Sequence, residues 1–313
     1  MRIGIIGYGS IGKRHCQNLK KHAKQIIVLS QRRDIKSVTA VREWSDFAKR
    51  GPYDVIFITN ETAKHLATIK KAISLKPRAV FIEKPLSHNK EGISALPKMF
   101  KAKNISCWVG YNFHFFKPYQ FIRSLIKSNK LGRIFYLRAS VGQDLRDWRE
   151  RDYKLSYSAK KEQGGGVLLD LVHDINYPAW LLGEPLLYRS SVVRKLSKLE
   201  INTEDCAESI LETPLGTIVS IHQDYLRTTL KTSLEIISEK GVISWDSDSQ
   251  TVRLQYKDKV ISKKIVTERN EMFVAELKFF FAKMKKGNYF SNLEEAIRDM
   301  NIIYHIKNYA KRH

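Results

Sequence analysis

The sequence predicts two domains, an α/β domain built on a parallel sheet and, after it, an α+β domain rich in antiparallel strands. The chain has 313 residues, and domains commonly contain about 100–200 residues. Strands alternate with helices up to about residue 115, which is typical of βαβ units. Several short strands separated by turn residues follow between residues 186 and 266. We therefore expect domains at residues 1–115 and 116–313.

Hydrophobic periodicity predicts the individual elements in chain order. In the first domain we expect apolar strands at residues 2–6, 25–29, 54–59, 79–82 and 105–109, with helices at residues 10–21, 62–75 and 88–101. In the second domain we expect helices at residues 118–129 and 167–182, a strand at 133–141, and a long loop at 144–163. Two terminal helices are expected at residues 270–285 and 292–311.

Composition limits the class of protein. Hydrophobic residues make up 43% of the chain, but no apolar run approaches the roughly 18 residues that span a bilayer. The first residues are typical of a strand and not of a signal peptide, and three widely spaced cysteines form neither a disulfide framework nor a CxxC metal site. The net charge is +23, but the Lys and Arg residues are spread over the chain without a long basic block. We therefore expect a cytoplasmic protein with no metal, no membrane span and no nucleic-acid partner.

A glycine-rich loop follows the first strand and opens the first helix. Its residues match the GxGxxG pattern and are Gly7, Tyr8, Gly9, Ser10, Ile11 and Gly12. Gly7 permits a tight turn, Gly9 leaves room for a pyrophosphate, and Gly12 lets helix and strand pack closely. The free N–H groups at the helix N-terminus attract phosphate. A strand–loop–helix context of this kind predicts a Rossmann dinucleotide-binding domain.

The end of the second strand distinguishes the two nicotinamide dinucleotides. NAD-binding domains usually carry Asp or Glu there, whereas this chain has Ser30, Gln31, Arg32 and Arg33. Because planar guanidinium groups suit a 2′-phosphate, we favour NADP(H) over NAD(H). Two alternatives stay open: both arginines are solvated surface charges, or Asp34 reaches the ribose because the strand ends later.

Two further segments contain candidate catalytic residues. Lys84 follows the fourth strand, and ligands of open parallel sheets bind beyond the carboxyl ends of the strands. Three glycines at residues 164–166 lead into a predicted helix with Asp170, His173, Asp174 and Tyr177 at positions i, i+3, i+4 and i+7. This spacing predicts that the four side chains share one helical face. The alternative is a helix with a solvated polar face.

The motifs occur together and in a characteristic order: GYGSIG at residues 7–12, EKP at 83–85, VGYNF at 109–113 and GGGVLLDLVHDIN at 164–176. In these motifs the chain resembles the glucose–fructose oxidoreductase, inositol dehydrogenase and MocA family over essentially its whole length. The resemblance implies a Rossmann domain followed by a domain with a large, mostly antiparallel open sheet. It also implies hydride transfer to or from sugars, cyclitols or nucleotide-sugars, and a homodimer or homotetramer. Residues 141–159 resemble a subgroup associated with surface-polysaccharide sugars.

The resemblance implies roles for particular residues. Lys84 matches the family's catalytic lysine, Asp170 its aspartate and His173 its histidine. The histidine usually lies four residues after the aspartate, but here His173 lies at plus three and Asp174 at plus four, a shift that rotates a helical side chain by about 100°. Either the helix start shifts to compensate, or Asp174 takes part of the role. His114 stands where the family often has arginine, which makes it a second candidate proton carrier.

The resemblance also implies binding residues. The expected cofactor contacts beyond the glycine loop are Ser30, Arg32, Arg33, Thr59, Asn60, His65, Glu83 and Lys84. His65 is alternatively a solvated helix residue. Tyr111, Trp148 and Tyr157 are candidates for stacking on a sugar or binding its hydroxyl groups, with Asp174 as a further candidate. Ordinary packing is the alternative for each aromatic residue.

The expected reaction is oxidation or reduction of a CH–OH group. In the oxidation direction, His173 would take the hydroxyl proton as general base, and Lys84 would stabilise the developing alkoxide. Asp170 would orient the sugar or the histidine. Two other classes of function stay open, namely a redox-neutral hydrolase or epimerase with tightly bound NAD and a non-catalytic regulator that senses a dinucleotide.

Overall fold

The chain divides into two units, and the predicted fold class is confirmed in both. The computed structural model describes residues 1–148 and 152–310. The first unit contains residues 1–110 and 273–300, and the second contains residues 111–272 and, as far as described, those after residue 300. No helix within the described ranges has the length and apolar character needed to cross a bilayer.

A six-stranded parallel sheet forms the centre of the first unit. Its strands are β1 (Arg2–Ile6), β2 (Gln25–Leu29), β3 (Thr39–Val41), β4 (Val55–Ile58), β5 (Ala79–Ile82) and β6 (Ser106–Val109). Their order is β3-β2-β1-β4-β5-β6. The helices before residue 110 are α1 (Ser10–Leu19), α2 (Trp44–Lys49), α3 (His65–Ser74) and α4 (Leu96–Ala102). Strands β4, β5 and β6 are buried along their whole length, as expected for a parallel sheet covered on both faces.

The sequence pattern missed two short elements and placed one helix too early. Strand β3 has three residues and helix α2 has six, too few to show a clear hydrophobic period. Helix α4 covers only the end of the helix expected at residues 88–101, because turns occupy the residues before it.

Two C-terminal helices, α8 (Arg269–Lys285) and α9 (Leu293–Ala310), are confirmed, although residue 311 lies outside the described residues. Residues 273–300 belong to the first unit. The indole nitrogen of Trp108 donates to Glu276 Oε1 over 2.9 Å. Asn292 Oδ1 accepts from the backbone N–H of Val109 over 2.7 Å, and Asn292 Nδ2 donates to the Val109 carbonyl over 3.0 Å. These bonds tie the C-terminal segment to β6.

An eight-stranded sheet dominates the second unit, in the order β14-β13-β12-β11-β7-β10-β9-β8. Its strands are β7 (Ile134–Gly142), β8 (Leu187–Arg194), β9 (Cys206–Glu212), β10 (Ile218–Asp224), β11 (Lys231–Ser238), β12 (Val242–Asp246), β13 (Thr251–Gln255) and β14 (Val260–Lys264). All neighbours pair antiparallel except β7 and β10, which are parallel. Helix α5 (Lys117–Lys127) and two helices at residues 167–182 pack with the buried face of this sheet.

The helix expected at residues 167–182 is broken, so the expectation of one continuous helical face is wrong. Helix α6 (Val167–Asp170) ends before Leu171, and α7 (His173–Leu182) begins two residues later. The backbone of Leu171 leaves helical geometry, at φ −102° and ψ 29°. Its carbonyl accepts a hydrogen bond of 2.6 Å from the side chain of Gln223 on β10. A long-range bond to the sheet therefore coincides with the interruption.

The segment expected to be a long loop at residues 144–163 consists of short 3-10 turns in its described parts. Side chains of Asp144, Asp152 and Ser156 each accept a bond from the backbone N–H two residues later. Such local bonds replace a regular hydrogen-bond ladder, which explains the lack of a period in the sequence. Residues 149–151 of this segment lie outside the described residues.

Candidate active site

The glycine loop of the first unit has the geometry that its sequence requires. Gly7 has a positive φ of 99°, and a Cβ built on it would lie 2.5 Å from the backbone nitrogen of Asn60. A Cβ on Gly12 would overlap the Gly7 carbonyl oxygen and lie 2.8 Å from Thr59 Oγ1. A Cβ on Gly9, in contrast, would meet open space within 4 Å. Folding therefore explains glycine at positions 7 and 12, whereas at position 9 the space outside the backbone stays available to a ligand.

The residues after β4 pack tightly behind this loop. Thr59 Oγ1 donates to the carbonyls of Ile6 and Gly7. Asn60 donates from Nδ2 to Thr68 over 2.8 Å, while its Oδ1 is buried and has no partner among the described residues. A buried acceptor without a donor is costly, and a bound dinucleotide with hydroxyl or amide donors would satisfy it. The open space at Gly9 and this acceptor fit a dinucleotide at the loop.

His65 lies within the protein and not at its surface, so the alternative of a solvated residue is wrong. The side chain is 1% exposed. Its Nδ1 lies 2.9 Å from the Pro85 carbonyl and its Nε2 lies 3.1 Å from the Asn60 carbonyl. Burial lowers the pKa of His65, which favours the neutral ring, and a neutral ring donates to only one of these carbonyls. His65 thereby links the segment after β4 to the segment after β5.

The end of β2 presents a charged pair. The guanidinium of Arg32 donates to both carboxylate oxygens of Asp34, over 2.8 and 2.6 Å, and both side chains are exposed. The hydrogen bond from Arg32 lowers the pKa of Asp34 to about 2. Ser30 Oγ accepts from the Arg32 backbone N–H, and Tyr8 lies near both charges, although burial is the largest cause of its raised pKa. Asp34 therefore neutralises one of the two arginines expected to bind a phosphate.

Glu83 uses both carboxylate oxygens inside the protein. Oε1 lies 2.5 Å from His15 Nε2, and Oε2 accepts from the backbone N–H of Lys84 over 3.2 Å. His15 is completely buried, and Glu83 is 8% exposed. The lysine expected to act in catalysis is therefore held at its backbone by a carboxylate, and that carboxylate is held by a histidine of α1.

Asp170 in the second unit accepts a hydrogen bond of 2.7 Å from the hydroxyl of Tyr225. Tyr225 is fully buried, and burial, followed by the charge of Asp170, raises its pKa well above the usual value. Trp148 packs edge-on against Tyr225 with ring centroids 5.1 Å apart, and Tyr157 lies near the same hydroxyl. Two of the three predicted sugar-binding aromatics thus lie in one cluster with Asp170. The third, Tyr111, is 1% exposed and lies beside the rings of His114 and His173.

His173 and Asp174 point into different surroundings. The imidazole of His173 stacks on Phe113, with centroids 4.7 Å apart and planes inclined by 19°, and meets the edge of Tyr111. Asp174 is 1% exposed and lies near the hydroxyl groups of Tyr119 and Tyr177. Burial is the largest cause that raises the pKa of both tyrosines; the Asp174 charge comes next for Tyr119, whereas for Tyr177 it follows the charge of Tyr119. Asp174 therefore belongs to a buried tyrosine cluster.

His114 is a packing residue with a hydrogen bond. Its Nε2 lies 2.7 Å from Asn176 Oδ1, and its ring stacks on Trp180 with centroids 4.6 Å apart. Burial lowers the pKa of His114 to about 3, so that the ring is neutral at physiological pH. A proton carrier works best with a pKa near the working pH, so these surroundings do not favour His114 as a second carrier. The amide oxygen of Asn176 accepts a hydrogen bond from His114 Nε2, which connects α7 to the segment after β6.

Sequence reasoning missed two functional candidates, His15 and Tyr225. Each pairs with a residue that a motif identified, but the partners are separated by 68 and 55 residues respectively. Tyr225 follows directly after β10, and the end of a strand was the one signal that could have identified it. The structure places Lys84 and the dinucleotide loop in the first unit, and Asp170 and His173 in the second.

Comparison with known proteins agrees with this division. Residues 1–111 match the model of an oxidoreductase family with an NAD-binding Rossmann fold, and residues 119–244 match the GFO/IDH/MocA C-terminal domain. The uncharacterized oxidoreductase YrbE of Bacillus subtilis is 25% identical over 58% of this chain and 53% of its own length. A myo-inositol 2-dehydrogenase of Thermotoga maritima is 24% identical over 59% of this chain and 55% of its own length. In these matches the chain spans about half the length of its curated relatives.

A similar fold occurs in solved structures. Levoglucosan dehydrogenase, in complex with NADH, superposes with a TM-score of 0.86 at 17% identity, over 100% of this chain and 97% of the other. At this identity the likeness concerns the fold alone. The two family models together cover residues 1–111 and 119–244, which is most of the chain. The chain therefore belongs to the Gfo/Idh/MocA family.

Proposed function

We propose that this protein is an NAD(P)-dependent oxidoreductase that interconverts a hydroxyl and a keto carbon on a sugar, cyclitol or nucleotide-sugar. The observation that carries the proposal is the glycine loop, in which Gly9 leaves open space beside a helix N-terminus and Asn60 offers an unsatisfied buried acceptor. The relative named above as a myo-inositol 2-dehydrogenase supports the substrate class.

Different residues of the chain have different roles in the proposed reaction. The residues that would hold the dinucleotide are those of the glycine loop, Asn60 and the segment after β2. When bound, the nicotinamide accepts or gives the hydride. Lys84 carries a positive charge that stabilises the oxygen of the reacting carbon as its proton leaves. His173 takes that proton in the oxidation direction and returns it in the reduction direction. Asp170, held by Tyr225, orients a substrate hydroxyl by accepting its hydrogen bond.

The surroundings of His173 and Asp174 favour the histidine as the proton carrier. Asp174 lies among buried tyrosine rings, whereas His173 is fixed by stacking on Phe113. An unperturbed histidine titrates near pH 6.5, which suits proton transfer close to neutrality. We therefore assign the general base to His173 and a structural role to Asp174.

Lys84→Ala and His173→Ala test the proposal. Turnover is measured by nicotinamide absorbance with a panel of sugars, cyclitols and nucleotide-sugars, and dinucleotide affinity is measured by fluorescence titration. We expect each variant to lose turnover by about 100-fold or more, because acid–base and electrostatic contributions are of this size. Dinucleotide affinity should be retained. Wild-type turnover in both variants would overturn the assignment of catalytic residues.

We further propose that the enzyme prefers NADP(H) to NAD(H). The segment after β2 has no acidic residue before Asp34, and Asp34 is engaged by Arg32. This arrangement leaves Arg33 as the guanidinium for a 2′-phosphate, with Arg32 available if its pair with Asp34 opens. In NAD-binding domains an acidic side chain accepts hydrogen bonds from the ribose hydroxyls. Asp34 would have to break its pair with Arg32 before it could do so.

The ratio of kcat/KM for NADP(H) and NAD(H) tests this preference. We expect the wild type to favour NADP(H), and Arg33→Ala to lower kcat/KM for NADP(H) while leaving that for NAD(H) unchanged. The matched control is Lys36→Ala, which removes a nearby exposed charge. A wild-type preference for NAD(H) would overturn the proposal for the dinucleotide but not that for the reaction.

A further inference from the structure

We propose that His15 and Glu83 form a positioning pair that fixes Lys84 relative to the glycine loop. The inference rests on the proposed function, because it assigns to this pair the placement of the proposed catalytic lysine. Neither residue needs to touch the substrate. His15 lies on α1, the helix that opens at the glycine loop, and Glu83 precedes Lys84 directly.

The contact between the two side chains is short and buried. His15 Nε2 and Glu83 Oε1 are 2.5 Å apart, and the two residues are 0% and 8% exposed. A carboxylate only accepts hydrogen bonds, so Nε2 carries the proton and donates it. Hydrogen bonds that involve a charged group are about twice as strong as neutral ones, particularly where water is excluded.

The rest of the His15 ring lies among aromatic side chains. Its centroid is 5.5 Å from Phe57, 5.1 Å from Phe81 and 6.2 Å from Phe273. Nδ1 is buried and has no hydrogen-bond partner among the residues that the structure describes. Among the described residues, Glu83 is therefore the hydrogen-bond partner of the His15 ring. A polar ring in an apolar setting is costly for folding, which indicates that it serves another purpose.

Glu83 transmits the contact to Lys84. Its second oxygen, Oε2, accepts from the backbone N–H of Lys84 over 3.2 Å. The backbone N–H of Glu83 donates to the Ile58 carbonyl over 2.9 Å. On the other side of the lysine, the Pro85 carbonyl lies 2.9 Å from His65 Nδ1. Lys84 is thus held on both sides of its backbone by buried groups.

The pair connects two parts of the proposed site that are far apart in sequence. Residues 7–12 would hold the phosphates, and Lys84 would act on the reacting oxygen. With α1 as the common support, the bond between His15 and Glu83 helps to set the distance between the two parts, together with the pairing of β1, β4 and β5. A displacement of 1 Å at a reacting group costs about 100-fold in rate, so the loss of this support should appear mainly in kcat.

Four variants test the inference. His15→Gln keeps a donor near the position of Nε2, and His15→Leu removes it while filling the space. His15→Leu/Glu83→Leu replaces the whole pair by apolar side chains, a change that is often neutral for stability and so protects against failure to fold. His22→Gln is the matched control, because His22 stacks on Phe281 in the same unit and lies outside the proposed machinery.

Two readouts separate positioning from general damage. The first is kcat together with dinucleotide affinity from fluorescence titration. The second uses the free protein, with no dinucleotide, and follows reductive methylation of Lys84 by formaldehyde and cyanoborohydride, with Lys71 as internal reference. We expect His15→Leu and the double variant to lower kcat by about 10- to 100-fold, with unchanged dinucleotide affinity and a changed methylation rate at Lys84. His15→Gln and His22→Gln should resemble the wild type in both readouts.

The outcomes distinguish this inference from the proposed function. If Lys84→Ala and His173→Ala both keep wild-type turnover, the proposed assignment of catalytic residues fails. If Lys84→Ala is inactive while the folded double variant keeps wild-type kcat and a wild-type methylation rate at Lys84, the positioning pair alone is overturned. The inference is also overturned if His15→Gln shows the same decrease in kcat as His15→Leu. That result would mean that the hydrogen-bond donor at position 15 does not position Lys84.

Discussion

His222 on β10 predicts a loss of stability in mild alkali. Its Nδ1 lies 2.9 Å from Glu208 Oε2 and its Nε2 lies 2.9 Å from Asp224 Oδ2. Because both partners accept, the ring donates from both nitrogens and is an imidazolium. The bond to Asp224, followed by that to Glu208, raises the pKa of His222 to about 9 from an ordinary value of 6.5. Arg227 and Arg138 face the same carboxylates and moderate their charge.

The sign and size follow from proton linkage. Folding raises the pKa of His222, so its stabilisation is fully present below pH 6.5 and is lost as the pH rises through about 9. This rise in the pKa of His222 corresponds to an upper limit of roughly 3–4 kcal/mol, at about 1.36 kcal/mol for each pKa step. The side chain is 26% exposed, and solvent reduces the effect. We expect a decrease of roughly 2–3 kcal/mol in the free energy of unfolding.

Urea unfolding of the wild type and of His222→Gln at several pH values between 6 and 10 measures this decrease. The variant carries no titrating ring, so the difference between the two curves isolates His222. His305→Gln is the matched control, because His305 stacks on Tyr188 in the same unit and should keep the wild-type pH dependence. Parallel curves for the wild type and His222→Gln would refute the reasoning.

Three further predictions concern the proposed site. Gly12→Ala should lower the free energy of unfolding by about 1–3 kcal/mol, because its Cβ would overlap the backbone of Gly7. Gly9→Ala should keep the wild-type melting temperature, because its Cβ would meet open space. The same Cβ should weaken dinucleotide affinity in a fluorescence titration. Equal melting temperatures for the two variants would contradict this. Tyr225→Phe removes the donor to Asp170 and should cost about 1.5–3 kcal/mol in urea unfolding together with a loss of kcat; an unchanged kcat would exclude an orienting role. His114→Gln should leave the shape of the pH–rate profile unchanged, since His114 is already neutral, and a shifted acid limb would show that it carries a proton.

The dinucleotide loop could be predicted from the sequence because its requirements are local. Gly7 and Gly12 are fixed by overlap with atoms of the same turn and of the neighbouring strand end, so a short pattern contains most of the information. Five of the six strands of the first unit are mostly buried and apolar, and the sequence predicts them to within one residue at each end, whereas the three-residue strand β3 was missed. In both cases the physical cause acts over a few residues.

The second unit shows where local reasoning ends. A helical period over residues 167–182 was correct for most positions, but a bond from Gln223, 52 residues from Leu171, accompanies the interruption of the helix. The partners of Asp170 and Glu83 come from strands and helices far along the chain, and no periodic pattern records them. Tertiary packing decides which side chains contact a motif. These contacts are visible in the structure but not in the sequence pattern.

The first unit consists of two separate stretches of the chain, residues 1–110 and 273–300, which affects when it can be completed during synthesis. Trp108 and Val109 on β6 find their partners in Glu276 and Asn292, which the ribosome adds more than 160 residues later. Until then the edge of this sheet lacks its cover, and an exposed apolar edge invites aggregation. The first unit is thus completed only after residues 111–272, which belong to the second unit, have been synthesised.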